Sequence, residues 1–202
     1  PSSHLHDVLD VLVLDPAVHA YLDWVSGIMQ VNCSMAEYRA AMQRGSVPER
    51  LHDALKHETH HVMQVTLCSY LYRFAVTLYV LMQNELAPMR MRHRAHKGSF
   101  FEHVPDKLSN EHDITTLISD LHRRSGAGVS ALDIVESLTF LVQHRQRLAY
   151  DDDAYVRFLQ ESDMPAEYRT AYLFFERVVR NRVSALKAFP VAAHLALCSR
   201  RP

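Results

Sequence analysis

Between Pro48 and Pro88 the chain meets neither glycine nor proline, and no other feature constrains the fold as much. With nothing to break the backbone hydrogen-bond ladder, a run of this length and apolar content settles into helix. Leu51, Leu55, Glu58, Val62, Val65, Cys68 or Ser69, and Tyr72 recur within it at the period of one helix face. The pattern predicts a single long helix from Pro48 to about Glu85. Only 5 glycines and 8 prolines punctuate 202 residues, which favours long helices over a sandwich of short strands.

The flanking segments read the same way. Asp15-Pro16 supplies an N-cap and a first-turn proline, so Ala17 to about Arg44 is expected to be helical, with Ala20, Tyr21, Trp24, Val25, Ile28 and Met29 on its apolar face. Gly45-Ser46-Val47-Pro48 ends it. Residues 86 to 107, with Pro88, Gly98 and Pro105, are expected to form a long loop, with room in it for a short helix or hairpin. Helix resumes from about Glu111 to Arg124 and stops at Ser125-Gly126-Ala127-Gly128. It restarts behind Ser130, whose capping-box partner Asp133 follows three residues on. That helix, about Ala131 to Tyr150, is apolar nearly all round and should be buried. Asp151-Asp152-Asp153 opens another, to about Gln160. Met164-Pro165 starts one to about Lys187, with Tyr172, Phe175, Val178 and Val179 inward, and a short helix follows Pro190. No repeat or βαβ alternation is visible, so the expected fold is all-α or nearly so, in one domain over residues 1–202.

Composition narrows the partners. A net charge of -1 gives no global attraction to nucleic acid or to an anionic membrane. Val65 to Met82 is the most apolar stretch, but Arg73 interrupts it, so a core helix is expected rather than a membrane span. Three widely separated cysteines, Cys33, Cys68 and Cys198, make neither a disulfide framework nor a Cys-x-x-Cys knuckle. Reduced thiols and the lack of a basic-then-apolar opening segment make a cytoplasmic setting the expectation. A homo-oligomer is compatible with the composition. The basic run Arg90 to Lys97 reads as a solvated loop rather than an anion clamp, Phe100 and Phe101 as pins for that loop, and Asp151 to Asp153 as helix N-terminal charge rather than a calcium loop.

Fourteen histidines are present, and His52, His57, His60 and His61 fall within ten residues. On a helix His57 and His61, four apart, project from one face, where both imidazoles can close on one ion. Zinc suits such a pair, since it binds neutral imidazole nitrogen at about 2.0–2.1 Å and in catalytic sites takes three protein ligands plus water. Glu58, next to the first histidine, stands where a carboxylate can take a proton from that water as a general base. Gln64 continues the face as a donor to the ligands. Thr59 and His60 point elsewhere. The rival is a set of core and surface histidines that only hydrogen-bond.

The run His57-Glu58-Thr59-His60-His61-Val62-Met63-Gln64 resembles the active-site helix of the zincin-type metallopeptidases, in the form His-Glu-x-x-His-x-x-Gln. In the gluzincin branch the third ligand is a glutamate on a later helix. Asp133 to Phe140 is similar to that element, so the resemblance implies Glu136 as third ligand. Two features depart from the family: Ser137 stands where many members have a small glycine, and no edge strand is visible to hold an extended substrate. The resemblance covers the metal helix and about ten residues of a second one.

Glu136 also stands out by itself, as the only carboxylate between Ile134 and Leu148 in a helix that reads as buried; an ionised group there requires a cation or strong donors. A salt bridge to an arginine such as Arg73, or an exposed helix edge, would also satisfy it, and Asp133 and His144 are the other candidate ligands. The leading expectation is a zinc-dependent hydrolase acting on a peptide or small-molecule amide. One alternative is a helical non-heme iron oxidase using Glu58, His61 and Glu136, since Glu58-x-x-His61 matches the ligand pair of helical di-iron proteins. The other is a non-enzymatic helical metal-binding module.

Overall fold

The computed structural model describes residues 20–22, 29–45, 47, 49–96, 109–145, 147–180 and 182–199. The fold is all-α apart from one short ribbon, with eight helices among the described residues. The chain groups into two compact units, residues 1–62 and 63–202.

In the first unit, strands β1 (Ala20–Leu22) and β2 (Met29–Val31) pair antiparallel, with Ala20 opposite Val31 and Leu22 opposite Met29. The helix expected from Ala17 to Arg44 is therefore replaced by a ribbon followed by a shorter helix, α1 (Met35–Arg44). The reason is local. Ser34 accepts the Glu37 N–H while the Glu37 carboxylate accepts the Ser34 N–H and hydroxyl, a capping box that starts a new helix at Met35. Gly45, with φ 64°, closes α1 in the left-handed conformation. Asp15-Pro16, Trp24, Val25 and Ile28, named for the expected helix, lie outside the described residues. Helix α2 (Glu49–Leu67) then begins.

The second unit takes up the end of α2. One residue, Cys68, separates it from α3 (Ser69–His96), so the single helix expected to about Glu85 is two helices bent sharply at Cys68. The hydrogen bonds into and out of the break survive: Cys68 N–H donates to Gln64 O and Tyr72 N–H to Cys68 O. Leu71, Phe74, Ala75, Leu78, Glu85 and Met89 form the buried stripe of α3, while Tyr72, Val76, Tyr79 and Val80 are exposed. Helix α3 passes through Pro88, where a loop was expected, and carries most of the basic run, with Arg90, Arg92 and Arg94 exposed. Proline there removes one ladder bond, which the flanking turns outweigh. Lys97, Phe100 and Phe101 lie outside the described residues. Among the described residues no single helix is long and apolar enough to cross a membrane.

Helix α4 (Glu111–His122) is capped from a distance, because the buried Glu85 carboxylate accepts the N–H groups of Ser109 and Asn110. Helix α5 (Ala131–His144) begins on the Ser130/Asp133 capping box and ends earlier than Tyr150. Ala149 and Tyr150 take positive φ angles of 53° and 59° in a turn, and Asp151 then caps α6 (Asp152–Glu161). Helix α7 (Glu167–Val179) stops before Lys187, with Tyr172 buried and Val178 exposed rather than inward. Helix α8 (Ala185–Cys198) contains Pro190 instead of following it. Asp152 accepts the Leu186 N–H at 2.7 Å, so α6 caps α8 where Ser184 makes no side-chain cap.

The core of this unit lies among α5, α6, α7 and α8, in Leu138, Leu141, Tyr155, Leu159, Tyr172, Leu186 and Phe189. The Tyr155 and Tyr172 rings meet edge to face at 4.7 Å. Burial pushes both phenols well above their ordinary range, so both stay neutral.

Candidate metal centre

Helix α2 turns Leu51, Glu58, His61 and Gln64 inward and leaves Thr59, Val62 and Met63 exposed. The motif therefore occupies the helix's buried face. Glu58 retains 8% of its exposure, His61 4% and Gln64 3%, and His57 is half-buried. The two imidazoles point at a common place, with Nε2 of His57 and Nε2 of His61 3.1 Å apart and the rings edge to face. Two nitrogens about 2.0–2.1 Å from one ion at a tetrahedral angle stand about 3.3 Å apart. The pair is thus spaced for a single ion, and also for a hydrogen bond between neutral rings.

Gln64, in the C-terminal part of α2, works through both ends of its amide. Its Nε2 donates to the Val135 carbonyl at 3.2 Å, and its Oε1 accepts the Thr139 hydroxyl at 3.1 Å. This side chain, expected to support the ligands, ties the C-terminal end of α2 to the middle of α5. Glu136 follows Val135 on α5 and is half-buried. Ser137, at the position where many zincins have glycine, is fully buried and donates to the Glu167 carbonyl at 2.9 Å, so its hydroxyl joins α5 to α7.

The other sequence candidates are engaged differently. Asp133 is buried, and its Oδ2 accepts both the N–H and the hydroxyl of Ser130 at 2.8 Å, the work of a helix cap. His144, two turns beyond Glu136 on α5, sits in an aromatic group with Phe140 at 4.3 Å and Phe158 at 5.2 Å. Arg73, suggested as a partner for Glu136, donates to the Ser199 carbonyl at 3.3 Å.

Groups of side chains able to hold a metal ion are present; His57 and His61 belong to one, and Cys68, His194 and Cys198 form another. Sequence reasoning missed the second. Its only trace in the sequence is the four-residue spacing of His194 and Cys198; Cys68 lies 126 residues before His194. The three cysteines are free thiols, with Cys68 fully buried. Burial, with Cys198 beside it, pushes the Cys68 thiol up to about 11. Comparison of the chain with protein-family models, with curated proteins and with solved structures finds no match.

Proposed function

We propose that the protein is a metal-dependent hydrolase, using zinc first among the candidate ions, in which His57, His61 and Glu136 hold the metal and Glu58 handles the proton. The observation that carries the reading is the His57–His61 pair, whose Nε2 atoms stand 3.1 Å apart on the buried face of α2. Two imidazole nitrogens at that separation, with a buried carboxylate on the same helix, are a donor set that a divalent cation can join. Glu136 is taken as third ligand because the Asp133 to Phe140 run resembles the gluzincin element that carries a ligand glutamate, and because it is the only carboxylate between Ile134 and Leu148.

Zinc, when bound, supplies Lewis-acid polarisation of a carbonyl and acidification of water. The remaining work belongs to the chain. The Glu58 carboxylate takes the proton of the attacking water and returns it to the amine that leaves, so peptide or amide cleavage balances with no further reagent. Its burial keeps competing solvent away. Gln64 joins the C-terminal end of α2 to α5.

Glu58→Gln keeps the shape of the side chain and removes the proton acceptor. Metal content should then stay at the wild-type value while turnover on a peptide or amide substrate falls by roughly 10²–10⁴-fold. A variant that turns over at full speed removes the hydrolase reading. One observation favours a second reading: Glu58 and His61 are both more buried than His57, as expected if the Glu-x-x-His pair of a helical iron protein were the ligands. That reading requires iron to bind in preference to zinc.

A further inference from the structure

We infer that Cys68, His194 and Cys198 form a second, separate metal site, rich in sulfur and suited to a thiophilic ion such as zinc. Their ligand atoms lie within 4.8 Å of one another. Cys68 Sγ stands 3.5 Å from His194 Nδ1, and Cys198 Sγ stands 3.6 Å from His194 Nε2. A sulfur at about 2.3 Å and a nitrogen at about 2.0–2.1 Å from one ion, at a tetrahedral angle, are about 3.5 Å apart. Each sulfur-to-imidazole distance taken singly has the length of an edge of a zinc tetrahedron. The sulfurs sit at opposite nitrogens of the ring, so one nitrogen binds the ion and one thiol turns towards it as the site fills; Cys198 is the less buried of the two.

The scaffold holds these groups by contacts that do not involve the imidazole. His194 and Cys198 share one face of α8, one turn apart. Cys68 occupies the single-residue break between α2 and α3. Ser69 Oγ donates to the Cys198 carbonyl at 2.8 Å and Arg73 to the Ser199 carbonyl at 3.3 Å, which ties the end of α8 to the start of α3. The Cys198 thiol lies 3.9 Å from the Leu67 carbonyl. Two thiolates and a neutral imidazole cancel the charge of a divalent ion, and binding releases two thiol protons to solvent with no change of oxidation state. His194 is exposed, so the fourth position opens to water and the ion can enter from that side.

The site is independent of the His57–His61 pair, and sulfur provides its signature. Reduced, metal-free protein is titrated with Co²⁺ and read in the near ultraviolet, where thiolate-to-cobalt charge transfer absorbs and an imidazole–carboxylate site does not. The band should saturate near one equivalent in the wild type and in Cys33→Ser, vanish in Cys198→Ser, and require at least about tenfold more cobalt in His194→Ala. The last two positions are less buried than Cys68, which makes those variants the safer ones to fold. No band from protein whose three thiols all titrate as free, or a band that persists in Cys198→Ser, overturns the proposal.

Discussion

At Gln64, burial and hydrogen bonding set a clear stake. Both ends of its amide are satisfied inside the protein, by the Val135 carbonyl and the Thr139 hydroxyl. Gln64→Ala removes both of these buried hydrogen bonds and the side chain that fills the space between them, so it should lower stability by about 1–3 kcal/mol in urea unfolding, well beyond a surface substitution. At Cys68 the stake is protonation. Its folded-state value of about 11 lies above the ordinary 9.0, so folding favours the neutral thiol. That contribution is complete below about pH 9 and is lost as the pH rises towards 11. In reduced, metal-free protein, alkylation of Cys68 should trail that of Cys33 at pH 8 and catch up only as the pH nears 11. Peptide mapping of the modified chain checks it; equal rates at pH 8 would mean the thiol is not buried as described. The His57–His61 spacing was legible because a four-residue interval on a helix is decided locally. The Cys68–His194–Cys198 group was not, since only tertiary packing brings residues 126 apart together.

Among the elements, caps explain both what the sequence announced and what it concealed. Ser130 with Asp133, and Asp151, mark the starts of α5 and α6 within a few residues of themselves, and those starts were readable. The caps of α4 and α8 come from Glu85 and Asp152, 24 and 34 residues from the groups they serve, and no local pattern reveals them. The Ser34–Glu37 cap is local too, yet the spacing of residues such as Ala20, Tyr21 and Met29, which the structure places in β1 and β2, predicts one helix carried through it. The bend at Cys68 has no glycine or proline to mark it, while Pro88 and Pro190 mark breaks that do not occur. The cap at Asp133 yields a separate prediction. Asp133→Ala should cost about 1 kcal/mol through the lost capping box and leave metal content unchanged; a loss of metal would instead make Asp133 a ligand.

For the whole molecule, the all-α class followed from the scarcity of breakers and the helical periodicity, both of which act along the entire chain. The fold class does not choose the chemistry; the donor atoms do. Under the hydrolase reading, metal binds the folded state and not the unfolded one, so it should stabilise the chain by mass action. Zinc at 100 times its dissociation constant adds about 2.7 kcal/mol, seen as a rise in Tm over chelator-treated protein and reduced in His61→Ala. An identical Tm with and without zinc would show that the folded protein has no preference for the ion.

Whether the α2 histidines hold a metal with Glu136, as proposed, is decided by elemental analysis of protein purified without chelator or added metal. Cys198→Ser is used as the background so that sulfur contributes no ion. About one zinc per chain is expected, lost in His61→Ala and in Glu136→Ala. Iron at about two per chain would move the assignment to the oxidase reading, and protein free of metal that also fails to take up zinc would contradict the account.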